Sequence, residues 1–292
     1  MMNRIPLGNA LLTRVLELQF EFPAALFPQT PQEAWQENAE ELTPTFYDPG
    51  TEQCRVAMQS WVVEVDGLTV VIDTGVGNDR ERPHLPGLGN LSTDFLGALQ
   101  RADIDPADVD IVVNTHLHTD HVGWNTRLVD GSWVPTFPNA RYLIAEADYR
   151  YFSPDGAGSG DGFDIVFADS VLPVGEQIET FAGDHQLSDS LWLRPAPGHT
   201  PGSTVVWLDA GTPAVFVGDL THCPIQIARP GDPCVFDVDA DEATATRKRI
   251  FTEASRRRAA VIPAHYPGRG GATIVARGDR FEVDDWLDLE SI

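Results

Sequence analysis

At 292 residues and a formal charge of −24, the chain is long enough for one large α/β domain and too acidic to favour nucleic acid or an anionic membrane as partner. Its 42% hydrophobic and 22% charged residues are those of a globular protein and exclude a disordered one. No stretch approaches the roughly 18 apolar residues of a membrane span, Met1–Gly8 carries no apolar signal core, and three cysteines without a Cys-x-x-Cys pair suit a reducing cytoplasm.

Residues 1–58 give the weakest pattern. Leu11–Phe22 alternates loosely, as an edge strand would, and Phe22–Tyr47, with its prolines and Trp35, reads as a loop and short helix on the surface. This part is expected to form an N-terminal extension with edge elements packed on the core, and 59–292 the main domain. Ser60–Val65 and Leu68–Ile72 are β-rich runs joined by Asp66-Gly67, a hairpin signal. The second run ends at Asp73-Thr-Gly75, where Asp73 is either a turn former or the partner of a ligating histidine. The proline- and glycine-rich stretch 79–91 reads as a loop with His84 in solvent. Asp94–Arg101 reads as a helix capped by Ser92 or Thr93.

Asp110–Asn114 is a short β-branched strand, and it feeds Thr115-His-Leu-His-Thr-Asp-His-Val-Gly-Trp124. His116 and His118 lie just past the strand end, where alternate side chains point the same way. Asp120 and His121 follow at the entry to the next element, close enough to face a second ion. Imidazoles and carboxylates without a thiol are ligands for zinc, iron or manganese. One histidine in a polar loop needs no metal; three with an aspartate in six residues indicate a metal site.

Arg141–Ala145 reads as a strand and Glu146–Phe152 as a helix. Ser153–Gly162, with four glycines, reads as a linker or a lid near the site mouth. In the second half, Leu191–Arg194 leads to His199, Ala214–Val217 leads to Asp219, and Ala260–Ile262 leads to His265. Asp239–Arg258 is an amphipathic helix, and Thr273–Ala276 with Arg280–Val283 forms a closing hairpin. Ligand-type residues therefore recur at strand ends in both halves. The architecture expected is α/β, a single-domain four-layer αββα sandwich with the site at the edge of two sheets.

His116-x-His118-x-Asp120-His121, followed in order by Gly198-His199, Asp219 and His265, resembles the metallo-β-lactamase superfamily; Asp73-Thr-Gly75 and Pro197–Gly202 match as well. The resemblance covers about residue 58 onward, making 59–292 a metallo-β-lactamase-type hydrolase domain. It implies that His116, His118 and His199 bind one ion, that Asp120, His121 and His265 bind a second, and that Asp219 bridges them. It implies two Zn²⁺ ions, with Fe, Mn or Co as other divalent candidates. The region Gly218–His222, Gln226, Phe236–Asp239 and Ala264-His265 looks like the branch holding methyl parathion hydrolase and related lactonases. A homodimer follows from the same resemblance.

Two cations about 3.5–4 Å apart lower the pKa of a shared water from about 16 towards about 7. The resulting bridging hydroxide attacks a carbonyl or phosphorus centre. Asp120 and Asp219 are the catalytic candidates, with Asp120 orienting the nucleophile or shuttling its proton. Trp124, Trp61, Phe137 and Phe236 are candidates for an apolar pocket, and Asp73, Trp124 and His222 for residues behind the ligands or in that pocket. The expected activity is zinc-dependent hydrolysis of neutral esters in a small-molecule substrate, lactones of the acyl-homoserine-lactone type before others. An organophosphate triesterase or arylesterase is the alternative. A β-lactamase, a thioester hydrolase or an iron-dependent oxidoreductase ranks lower. No Gly-x-Ser-x-Gly elbow supports a serine hydrolase.

Overall fold

A computed structural model describes residues 3–290. The first sheet holds β1 (Arg4–Leu7), β2 (Ala10–Pro23), β3 (Tyr47–Asp48), β4 (Gln53–Val65), β5 (Leu68–Ile72) and β6 (Ile111–Val113). A separate hairpin, β7 (Thr126–Val129) and β8 (Ser132–Pro135), precedes β9 (Arg141–Ala145) and β10 (Ile178–Phe181), which complete that sheet in the order β1-β2-β4-β5-β6-β9-β10, with β3 on β4. The second sheet runs in chain order through β11 (His185–Gln186), β12 (Leu191–Pro195), β13 (Thr204–Asp209), β14 (Pro213–Gly218), β15 (Ala260–Pro263), β16 (Ala272–Arg277) and β17 (Arg280–Trp286).

Strand alternation assigns each side chain to a layer. Val63, Val70 and Ile72 of the first sheet meet Val206, Phe216 and Ile262 of the second in the inner core. Their neighbours Val62, Val71 and Val112 turn outward onto Phe95 and Leu99 of helix Phe95–Arg101. On the far side Val205, Val215 and Val261 turn outward onto Ile250, Phe251 and Ala254 of helix Ala240–Arg257. The result is helix, sheet, sheet, helix, as the residue pattern predicts.

Four local expectations change. Leu11–Phe22 lies within the longer β2, which is an edge only from Arg14 onward, because β1 covers Ala10–Thr13. Residue 58 falls inside β4. Trp35 is buried against Phe27 and Tyr47 instead of lying on the surface. Helix Phe95–Arg101 has no side-chain cap from Ser92 or Thr93, since the Thr93 hydroxyl donates to Glu17 instead. Among the described residues no helix is long and apolar enough to cross a membrane.

Candidate metal centre

Seven ligand-type side chains converge at one edge of the sandwich, where strands of both sheets end. β6 stops at Val113, and a helix of one turn (Thr119–Val122) begins straight after His118. His116, His118, Asp120 and His121 are therefore presented by a single tight strand-to-helix turn. β12 leads to His199, β14 to Asp219 and β15 to His265. Gly218 sits at φ +49, and a Cβ there would lie 2.6 Å from Thr115 Oγ1, so the two sheets' ligand loops touch only because this position is glycine.

Two groups result. His116, His118, His199 and Asp219 form one and Asp120, His121 and His265 the other; within each, the ligand atoms lie within 4.8 Å of one another. Asp219 faces both: Oδ2 is 3.3 Å from His199 Nε2 and 3.7 Å from His116 Nε2, while Oδ1 is 2.9 Å from His265 Nε2 and 3.1 Å from His121 Nε2.

The surroundings hold His121, His199 and His265 by one ring nitrogen and leave the other for the cluster. Asp73 Oδ2 lies 2.8 Å from His121 Nδ1, and the same carboxylate accepts from the Thr115 backbone N–H and hydroxyl. Asp237 Oδ1 is 3.0 Å from His199 Nδ1, and the Ala57 carbonyl is 3.1 Å from His265 Nδ1. What remains suits cations. His199 Nε2 faces His118 Nδ1 at 3.0 Å and His265 Nε2 faces His121 Nε2 at 3.3 Å. His116 Nε2 is buried with no hydrogen-bond partner, and Asp219 Oδ1 makes no well-directed hydrogen bond although two imidazole nitrogens lie close to it. Imidazole nitrogens pointed at one another around a carboxylate, with no thiol, are a donor set for divalent metal of the zinc type.

Electrostatics agree. Burial alone would raise the Asp219 carboxyl, but the surrounding imidazoles, His121 first, hold it well below the usual range. Burial and neighbouring imidazoles push His116 and His118 well below theirs, leaving neutral rings with free lone pairs. Burial would lower His199 too, but its contacts with Asp219 and Asp237 raise it to about 9, so a cation at that nitrogen competes with a proton.

A cavity of about 470 Å³ opens onto the clusters. His118, Asp120, Asp219 and His265 form its floor, and Phe22, Leu88, Phe152, Phe163, Phe236 and Val238 its walls; residues from Ala157 to Asp161 stand at its mouth, where the glycine-rich segment was expected. Among the described residues no lysine or arginine lines it.

Several pocket candidates are corrected. Of the four aromatics only Phe236 lines the cavity. Trp124 is buried against Phe95 and donates from Nε1 to Glu17; Trp61 lies between the sheets and donates to the Pro263 carbonyl; Phe137 packs under the first sheet. His222 lines the cavity, with Nε2 3.1 Å from Asp219 Oδ2. His84 is only partly solvated: its Nε2 is 2.7 Å from Thr119 Oγ1 and its ring packs on Phe163. Cys223 is buried in the outer core. Asp148 and Asp237, which hold the ligand loops, had no signal in the sequence beyond being acidic residues near an apolar run.

Residues 58–265 match the model of the metallo-beta-lactamase superfamily. The chain belongs to that superfamily. It is 32% identical over 180 residues to the N-acyl homoserine lactonase AttM of Azorhizobium caulinodans, covering 56% of this chain and 60% of that protein. It thus spans about three fifths of the length of the curated relatives it matches. Solved structures with the same fold include AidC, a dizinc quorum-quenching lactonase in complex with a product (TM-score 0.80, 20% identity, covering 97% of this chain and 96% of that one). Another is the hydrolase AbOPH of the beta lactamase superfamily (TM-score 0.78, 21% identity, the same coverage).

Proposed function

We propose that this protein is a metal-dependent hydrolase of neutral lactones, of the N-acyl homoserine lactone class, loaded with two zinc ions. The observation that carries the reading is the placement of two His/Asp clusters, joined through Asp219, on the floor of a largely apolar cavity that no lysine or arginine lines among the described residues. AttM and AidC, both described as lactonases, support the substrate class.

His116, His118 and His199 would hold one ion and Asp120, His121 and His265 the other, with the Asp219 carboxylate lying between the two groups. When bound, such ions polarise an ester oxygen and acidify a water to a nucleophile usable near neutral pH. The chain's own contribution is preorganisation. Asp73 and Asp237 fix the ring orientations of His121 and His199. Asp120, whose side chain is partly exposed, orients the attacking water through its carboxylate and takes up its proton. The walls exclude bulk water and take the acyl chain, while among the described residues no lysine or arginine offers a carboxylate-bearing substrate a side-chain anchor.

The test is initial rates by proton release on a hydrophobic acyl homoserine lactone, an aryl ester, a phosphotriester and a β-lactam, with zinc-loaded and chelator-stripped protein. Zinc-dependent turnover led by the lactone is expected. Faster turnover of the phosphotriester or the β-lactam would overturn the substrate class, and equal rates without metal would overturn the metal requirement.

A further inference from the structure

Asp148 touches no ligand side chain, yet it is fully buried between the two loops that supply the first cluster. It sits in the first turn of helix Glu146–Phe152, whose neighbouring Ala147 and Arg150 are exposed. Its Oδ2 accepts from the Leu117 N–H at 3.3 Å, the amide lying between His116 and His118, and from the Thr200 hydroxyl at 2.9 Å, next to His199. Its Oδ1 accepts from the Gly202 N–H at 2.5 Å. One carboxylate therefore ties the backbone of the His116/His118 turn, from the first sheet, to the His199 loop, from the second.

The local sequence is fitted to this contact. A Cβ on Gly202 would stand 2.5 Å from the Asp148 backbone nitrogen and 2.7 Å from its Oδ1, so only glycine lets the loop come this close. Burying the carboxyl is unfavourable in itself, and burial raises its pKa to about 6 despite three donors. A packing role alone would be filled better by an apolar side chain.

The other cluster is held differently. His121 is braced by Asp73 and His265 by the Ala57 carbonyl, and Asp148 reaches neither. We infer that Asp148 is a positioning residue dedicated to the His116/His118/His199 cluster, setting the spacing of its three imidazoles across the two sheets and so the affinity of that cluster alone for metal. The inference rests on the two-metal reading given above. Partners behind ligands of this kind change metal affinity by about 10–100-fold.

The experiment measures zinc affinity, by competition with a chromophoric chelator, in two backgrounds. His265→Ala isolates the first cluster and His199→Ala the second. Asp148→Asn keeps the shape but turns an NH₂ group towards a backbone donor. It is expected to weaken zinc binding about 10–100-fold in the first background and by less than about threefold in the second. Thr200→Val, which removes one donor and leaves the carboxylate, is expected to give a smaller loss confined to the first background. Circular dichroism establishes that each variant is folded, and Thr200→Val carries the test if Asp148→Asn is not. Equal losses in both backgrounds, or none in the first, would overturn the inference. Wild-type protein that fails to take up two zinc ions would overturn the function reading itself.

Discussion

The loop that brings His84, Leu85 and Leu88 to the cavity is pinned from below by a buried ion cluster, and removing its one acid is a severe perturbation. Asp169 takes Arg80 Nη1 at 2.7 Å on Oδ1, and Arg82 on both oxygens at 2.7 and 3.0 Å. Both guanidinium side chains are 0% exposed. Arg80 keeps other acceptors, the Gly123 and Thr126 carbonyls, and packs on Trp133, but Arg82 would keep only the Glu81 carbonyl. Asp169→Ala therefore leaves two buried cations without a counter-charge, a change that typically costs about 3–5 kcal/mol. With about 2.1 cal/mol/K of unfolding entropy per residue, 292 residues give about 0.6 kcal/mol/K, so a loss of about 4 kcal/mol lowers Tm by about 6–7 °C. Asp169→Asn, which retains hydrogen-bonding oxygen without the charge, is expected to fall between. Thermal unfolding followed by circular dichroism reads both, and KM for the proposed lactone substrate is expected to rise as the loop loosens. A Tm for Asp169→Ala within about 2 °C of wild type would refute the claim that this carboxylate neutralises the pair.

Asp219→Ala is expected to remove most activity together with bound metal, because one residue serves both clusters; near-normal turnover with full metal content would sink the dinuclear reading. Zinc affinity is expected to rise with pH up to about 9, where the His199 proton is lost, and by up to about tenfold per pH unit for each proton displaced; an affinity flat from pH 6 to 9 would contradict this. In chelator-stripped protein Asp148 contributes stability in the opposite sense to a paired acid. Its folded value of about 6 lies above the unfolded 3.8, so the folded state binds more protons in between. That contribution is fully present below about pH 4 and is lost as pH rises through about 6, an effect of about 3 kcal/mol. Urea titrations across this range are expected to show a downward slope that Asp148→Asn flattens; an unchanged slope would place the titrating group elsewhere.

The parts of the fold that were legible are those whose signal is local. The Ser60–Ile72 hairpin announces itself through Asp66-Gly67, and the structure pairs Val65 with Leu68 across it. The outward helix Ala240–Arg257 carries its own 3.6-residue pattern and an Asp239 cap on Glu242. The histidine turn needs no tertiary information, because its four ligand-type residues are nearly contiguous. β2 was harder, since it runs from a covered stretch to an open edge and its burial changes along its length, which blurs the alternation. His84 was misread for a different reason: what buries it are Thr119 and Phe163, far away in sequence. Trp124 and Trp61 show the same limit in reverse, as nothing in a bare aromatic says which layer it fills. Asp148 and Asp237 act through backbone amides or a single ring nitrogen, and such partners carry no motif of their own.

The division of the ligands between the two sheets has a mechanical meaning. His116, His118, Asp120 and His121 belong to the first sheet's turn, while His199, Asp219 and His265 follow strands of the second. Each cluster draws on both, so an ion in either one would rivet the halves of the sandwich together at the edge where their inner core ends. Neither half could keep such ions once the faces part, and the resistance of the protein to opening would then depend on how much free metal surrounds it, growing as the logarithm of that concentration. The apolar layer between the sheets and metal bound at their rim would be two fastenings of one joint.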